Sequence, residues 1–174
     1  MGIGDSYEGE DLQQVIQKMK TSPEIIQLST EVYNKIAYRG STEGLVAVVR
    51  SKDLSLENLM LKDKNLLILV AEAPEKPGNI GALLRTADAA NVDAVLIANP
   101  KTDMFNPNII RSSVGCVFTN NIATGTTSEI IEFLKQKKVF IYAAALQASK
   151  NYHEIDYTPS SAIVVGTEAV GLSR

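Results

Sequence analysis

The sequence predicts an α/β fold, a parallel sheet with helices on both faces, and three observations lead to it. Leu66–Ala71, Ala94–Ala98, Val139–Ala145 and Ala162–Val165 are short and continuously apolar, as strands covered on both faces are. The segments between them carry apolar residues at helical spacing. The 174 residues are 45% hydrophobic and 21% charged, which is ordinary globular composition with enough apolar side chains for a core.

From the amino end, Leu12, Val15, Ile16 and Met19 are spaced for a helix over 11–20. Ser22-Pro23 reads as the start of a second, short helix, because proline suits the first helical position. Glu31–Tyr38 reads as a third, and Gly44–Val49 as a buried strand. Two or three helices and one strand do not close a domain, so residues 1–50 are expected to be part of a small α/β unit. Residues 51–63 are polar and connecting, with a short helix. A second unit, 51–174, then alternates regularly: strand 66–71, helix 79–91, strand 94–98, helix 107–114, strand 116–119, helix 128–137, strand 139–145 and strand 162–165. In such a sheet, ligands are expected at the carboxyl ends of the strands.

Composition excludes several classes. No apolar run is long enough to span a bilayer, and the first residues lack the basic, apolar, small-residue order of a signal peptide. Cys116 is the one cysteine, which rules out an internal disulfide framework and fits a reducing, cytoplasmic setting. With one Cys and one His (His153), a zinc site lacks good ligands and no metal is expected. A net charge of −3 and a pI near 5.2 give no global basic footprint for nucleic acid, so any such contact needs a local patch. Lys135–Lys138 reads first as basic residues complementing a helix C-terminus. His153 reads as an exposed loop residue, Tyr142 as core and Cys116 as a small buried hydrophobe.

The most informative stretch runs from Leu66 to Ile97. A strand enters EAPEKPGNIG and a helix follows at once. Asn79 reads as its N-cap, with exposed amides able to hold an anion or polar ligand. Gly78 and Gly81 permit close approach of backbone or ligand. The G-x-x-G spacing falls short of a dinucleotide loop, and the next strand ends in Asn99-Pro100 without the acid that holds a ribose. On the helix, Ile80, Leu83, Leu84 and Ala87 form the apolar stripe. Arg85 lies about 140° around from Ile80, at roughly 100° per residue, and points away from the core.

Near the other end, SSAIVVGTEAVGLSR is a strand entering a tight glycine loop, with Gly166 and Gly171 for close approach and Glu168 as a carboxylate at the strand's carboxyl end. Alone, this signal is common, and Glu168 reads equally as a charge complementing a helix start.

Together the two segments resemble the motifs of the SpoU/TrmH class (the SPOUT class) of RNA 2′-O-ribose methyltransferases. The first is an Asn-x-Gly-x-x-x-Arg core, here Asn79, Gly81 and Arg85, continuing into NPNIIRSSVG. The second is Gly-x-Glu-x-x-Gly-Leu, here Gly166 to Leu172. Two motifs in the right order on a matching strand–helix alternation are more specific than either one. The resemblance implies an S-adenosyl-L-methionine (AdoMet)-dependent enzyme that methylates ribose 2′-hydroxyls in structured rRNA or tRNA, works as a homodimer and needs no metal. It implies that Asn79, Arg85 and Glu168 are catalytic and that Ala145, Leu146, Gly166, Gly171 and Leu172 hold the cofactor. Arg111 contacts RNA phosphate by the same resemblance; by its position alone it equally caps or solvates its helix. Arginine is a poor proton acceptor, so orienting phosphate and stabilising the developing alkoxide is the easier role for Arg85. The family's cofactor loops form a trefoil knot, and its third motif is not found before Arg174, so an incomplete knot and an inactive or weakly active fragment are expected. Residues 1–50 resemble part of the family's substrate-binding domain. The competing expectation is a non-catalytic RNA- or protein-binding module with the same sheet.

Overall fold

The computed structural model describes residues 2–4, 11–18, 22–38, 44–145, 150–167 and 171–172. It divides into two compact units, 1–51 and 52–174.

In the first unit, β1 (Gly2–Gly4) lies between β2 (Ile26–Leu28), parallel to it, and β3 (Leu45–Val46), antiparallel to it. Helix α1 is Asp11–Lys18 and α2 is Thr30–Ile36, capped by the Ser29 hydroxyl, which accepts from the Val32 N–H at 3.4 Å. Two expectations fail here. No helix begins at Ser22-Pro23; 22–25 is irregular and the chain then forms β2. The strand expected over 44–49 is confined to Leu45–Val46. The reason is pairing: Gly2–Gly4, which has no apolar pattern to announce it, is the middle strand, and its three residues set how far its neighbours extend.

The second unit is built on five parallel strands in the order β6-β5-β4-β8-β7. They are β4 (Leu67–Glu72), β5 (Ala94–Ala98), β6 (Ile122–Gly125), β7 (Phe140–Ala143) and β8 (Ser161–Val165). Every residue of β5 is buried, as its continuous apolar run requires of a strand covered on both sides. One face packs Ile68, Val70, Leu96 and Ala162 against Ile130 and Leu134 of α6 (Thr127–Gln136). The other packs Val95 and Ile97 against Ile80 and Leu84 of α3 (Pro77–Ala89), Ile109 of α4 (Pro107–Ser112) and Val117 of α5 (Cys116–Thr119).

Local chemistry sets the boundaries. Thr126 and Glu129 form a reciprocal capping box that starts α6, satisfying two otherwise orphan amides and stabilising the helix by about 1 kcal/mol. Asn106 caps α4 ahead of Pro107 by accepting from the Asn108 N–H at 2.9 Å. Residues 116–119, expected as a strand, are one turn of helix; the strand is Ile122–Gly125, which the sequence reading missed. Gly115, at φ 87 in the left-handed region, restarts helical geometry just after α4 ends. Val117, with Cys116 beside it, then supplies a helix face to the core instead of a strand. The expected short helix in 51–63 is a 3-10 turn, Leu56–Asn58.

Candidate functional site

Strands β4 and β8 are parallel neighbours in register, with Ala71 opposite Val165. Their carboxyl ends therefore lie together, and the loops beginning at Ala73 and Gly166 leave the sheet at one rim. Strand β7 flanks β8, with Ala143 opposite Val164, and the Ala144 N–H donates to the Val164 carbonyl at 2.9 Å. The segment carrying Ala144 and Ala145 thus leaves at the same rim. This juxtaposition is topological: three adjacent parallel strands must discharge their loops on one side.

After β4 the chain turns sharply. Ala73 has φ 45, and its N–H donates to the Ala98 carbonyl at 2.8 Å; Asn99, at φ 47 after β5, donates to the Gly125 carbonyl at 2.8 Å. Each strand's exit residue is hooked onto the end of its neighbour. For alanine the left-handed conformation costs roughly 1 kcal/mol, so this rim stores some strain. Helix α3 then begins at Pro77, preceded by Lys76 as N-cap without a side-chain cap. Asn79, expected as N-cap, is instead the third helical residue and is exposed. Proline explains the shift: its fixed φ suits the first helical position and it has no N–H to leave unpaired. The amino end of α3 faces the rim, so its partial positive charge does too.

The two glycines of this loop differ. Gly78 has open space where a side chain would stand, whereas a Cβ on Gly81 would overlap the Ser112 side chain and carbonyl carbon. Gly81 is therefore a packing glycine between α3 and α4: of the two close approaches it permits, of backbone or of ligand, the structure uses the first. In the other loop, a Cβ on Gly166 would overlap the Gly171 carbonyl and the Leu172 nitrogen. Thr167 and Gly171 exchange backbone hydrogen bonds at 2.9 and 3.0 Å, and Gly171 sits at φ 73. Gly166 and Gly171 therefore meet backbone to backbone, an approach that a side chain on Gly166 would prevent.

Arg85 is exposed, as its helical angle required, and donates from Nη1 to the Ser112 carbonyl at the end of α4. Although five residues along α3 from Ile80, it thereby reaches the same Ser112 whose hydroxyl donates to the Pro77 carbonyl in the first turn of α3. Arg111, in the last turn of α4, is also exposed, so the two arginines share this helix pair while Asn79, Ala145, Gly166, Gly171 and Leu172 gather at the rim. Leu146 and Glu168 lie outside the described residues.

The rim also holds residues that sequence reasoning did not single out. Glu72 ends β4 on the α6 face with 6% exposure. Its carboxylate accepts from the Thr127 hydroxyl at 3.0 Å, and Thr127 accepts from Asn99 Nδ2 at 2.8 Å. The one available signal was a charged residue closing the apolar run LLILVA. Glu72 and Thr127 line a cleft of about 190 Å³ with Ile141, Ala143, Val164 and Leu172. Across the sheet edge, Tyr142, Ala145, Lys150, Tyr152 and Tyr157 line a groove of about 560 Å³. Tyr142, expected in the core, is half-buried; it stacks edge-on against Tyr157 and donates to the Asp156 carbonyl at 3.2 Å. Cys116 is likewise half-buried, since its one-turn helix leaves part of it at the surface. His153 is exposed. Among the described residues there is no acid, His or Cys cluster able to hold a metal, and no helix long and apolar enough to cross a membrane.

Residues 66–174 match the SpoU rRNA Methylase family. The chain is 30% identical over 171 residues to the 23S rRNA (guanosine(2553)-2′-O)-methyltransferase RlmP of Bacillus subtilis, covering 98% of this chain and 66% of that protein. It is similar to a crystal structure of an RNA 2′-O ribose methyltransferase at 34% identity and TM-score 0.76, covering 99% of this chain and 65% of the other. An AdoMet-bound rRNA methyltransferase from Sinorhizobium meliloti shares the fold, at 24% identity and TM-score 0.84, with 99% of this chain and 65% of that one covered. The chain thus spans about two thirds of the length of each of these relatives. Both glycine loops lie inside the matched family segment, on neighbouring strands of the matching sheet, and the chain belongs to the SpoU rRNA methylase family.

Proposed function

We propose that the protein carrying this chain methylates a ribose 2′-hydroxyl in structured rRNA or tRNA, using AdoMet, as a homodimer in the cytoplasm. The observation that supports it best is the shared rim: both family motifs and the Ala144–Ala145 exit open from the adjacent strands β4, β8 and β7. The family membership and the 2′-O-methyltransferase relatives point the same way.

The rim residues fit the cofactor. Ala145, Gly166 and Gly171 carry no bulky side chains and leave room for a ligand at the rim, Val164 and Leu172 supply an apolar wall, and Glu72 is a buried carboxylate suited to a positively charged ligand. When bound there, AdoMet supplies an electrophilic methyl group. In this reading Asn79 and Glu168 help to build the catalytic site. Arg85 holds the ribose and its phosphate and stabilises the alkoxide as the hydroxyl loses its proton, a charge-placement role that suits a planar guanidinium with several donors. Arg111, on the adjacent helix, holds RNA phosphate; the acidic chain as a whole makes such local cations the source of attraction. Residues 1–50 contribute part of the substrate-binding domain. The loops at the rim belong to the family's trefoil knot.

The test is Arg85→Ala in the full-length protein, assayed by transfer of labelled methyl to an rRNA transcript. Loss of one transition-state donor is expected to slow turnover at least about 100-fold. Turnover close to the unmodified protein's would remove Arg85 from the chemistry.

A further inference from the structure

Helix α4 stops at Ser112 because Val114 and Gly115 both turn left-handed, at φ 52 and φ 87. Val114 is β-branched and 78% exposed there, a strained way to end a helix. The stop leaves the Ser112 carbonyl without an intrahelical partner, at the negative end of the helix, and Arg85 takes it. The Ser112 hydroxyl is turned the other way. It lies 3.1 Å from the Pro77 carbonyl in the first turn of α3 and 3.3 Å from the Ile109 carbonyl. Gly81, with no side chain, makes room for it between the two helices. Thus one residue of α4 touches α3 at both ends of the segment that carries the first motif: its hydroxyl at Pro77, its carbonyl at Arg85. Further along, Asn120 Nδ2 donates to the Leu84 carbonyl at 2.9 Å, so α5 braces the same helix.

We infer that Ser112 is a positioning residue for Arg85: it anchors the end of α4 to the start of α3 and thereby holds the carbonyl that fixes the guanidinium. The inference rests on Arg85 acting at the ribose hydroxyl. A long, exposed arginine side chain samples many rotamers, and orientation within a few tenths of an ångström governs how well a donor meets a developing charge. The carbonyl removes that freedom before RNA arrives.

The first measurement needs no substrate. In ¹⁵N spectra of this chain, Arg85 is expected to show separate Nη1 and Nη2 signals, because its bond to Ser112 slows rotation about Nε–Cζ. A single averaged signal overturns the inference, and this readout stands even if a Ser112 variant fails to fold. The second measurement is a double-mutant cycle in the full-length protein. Ser112→Ala is expected to lower kcat about tenfold with KM for RNA and AdoMet unchanged, and to cost nothing further in an Arg85→Ala background. An equal loss in both backgrounds overturns the positioning role, since a merely structural serine would slow each alike. Near-normal turnover of Arg85→Ala sinks the reading of Arg85 itself, and the Nη signals keep that failure distinct from failure of the Ser112 contact.

Discussion

The two rims of the five-stranded sheet are built on opposite plans. At the amino rim, side chains stitch strand starts together. Asp93 accepts from the Leu67 N–H at 2.9 Å and pairs with Lys62 at 2.8 Å; Asn121 donates to the Asp93 carbonyl at 3.1 Å; Ser160 accepts from the Leu66 N–H at 3.1 Å. Left-handed residues turn the chain at both rims, Asn65, Asn91 and Lys138 before β4, β5 and β7 and Ala73 and Asn99 after β4 and β5; the carboxyl rim differs in having Gly166 folded against Gly171 and an α3 amino end without a side-chain cap. Glu72, Thr127 and Asn99 form a side-chain network there. The lesson is a division of labour. Polar side chains that satisfy one another at one rim leave the other to present glycine turns and unfilled space to a ligand.

Breaking the amino rim is expected to have the largest effect on stability. Asp93→Ala removes a nearly buried carboxylate and leaves the Leu67 N–H unpaired, which costs about 2 kcal/mol in urea unfolding, with AdoMet affinity unchanged. Its pH dependence follows from the same contacts. Burial pushes the Asp93 carboxyl up, but the Lys62 ammonium and the Leu67 N–H outweigh it and hold the carboxyl below its ordinary value of 3.8. A carboxyl lowered on folding gives stability that is fully present above the ordinary value and is lost as pH falls through the lowered one. The unmodified protein should therefore lose stability more steeply than Asp93→Ala below about pH 4. A variant as stable as the parent would show that the two rims are not differently built.

Gly166→Ala reverses the experiment. The added methyl meets the backbone of Gly171 and Leu172, so the loop must open. AdoMet affinity of the full-length protein by calorimetry is expected to fall about tenfold, or roughly 1.4 kcal/mol, with little change in Tm. Unchanged affinity would detach that loop from the cofactor. The smallest effect is Ala73→Gly, which relieves a left-handed alanine and is expected to raise stability by about 0.5 kcal/mol. A drop would mean that the Ala73 side chain contributes packing that outweighs its backbone strain.

How much of this was legible in the sequence varies with how local its cause is. Leu67–Glu72, Ala94–Ala98, α3 and α6 follow from apolar runs, proline and capping residues, and Arg85 faces outward by helical angle alone. Gly166 and Gly171 announced a tight loop correctly. Asn79 was displaced from the cap by Pro77, only two positions away. Gly2–Gly4 and Ile122–Gly125 were not legible, because such short strands are defined by the neighbours they pair with. Glu72 and Ser112 were invisible for a related reason: Thr127 lies 55 residues from one, and Pro77 lies 35 residues from the other.

By itself, then, the sequence determined the alternation of strands and helices, the two glycine loops and the family they resemble, because periodicity, chain breakers and motif spacing are properties of neighbours along the chain. The tertiary structure alone decided that β8 inserts beside β4 and brings both loops to one rim. It also decided that Gly81 serves Ser112 and that Arg85 rests on the end of α4. Those facts depend on contacts between residues far apart in sequence, whose free energy exists only once the sheet has closed around its core.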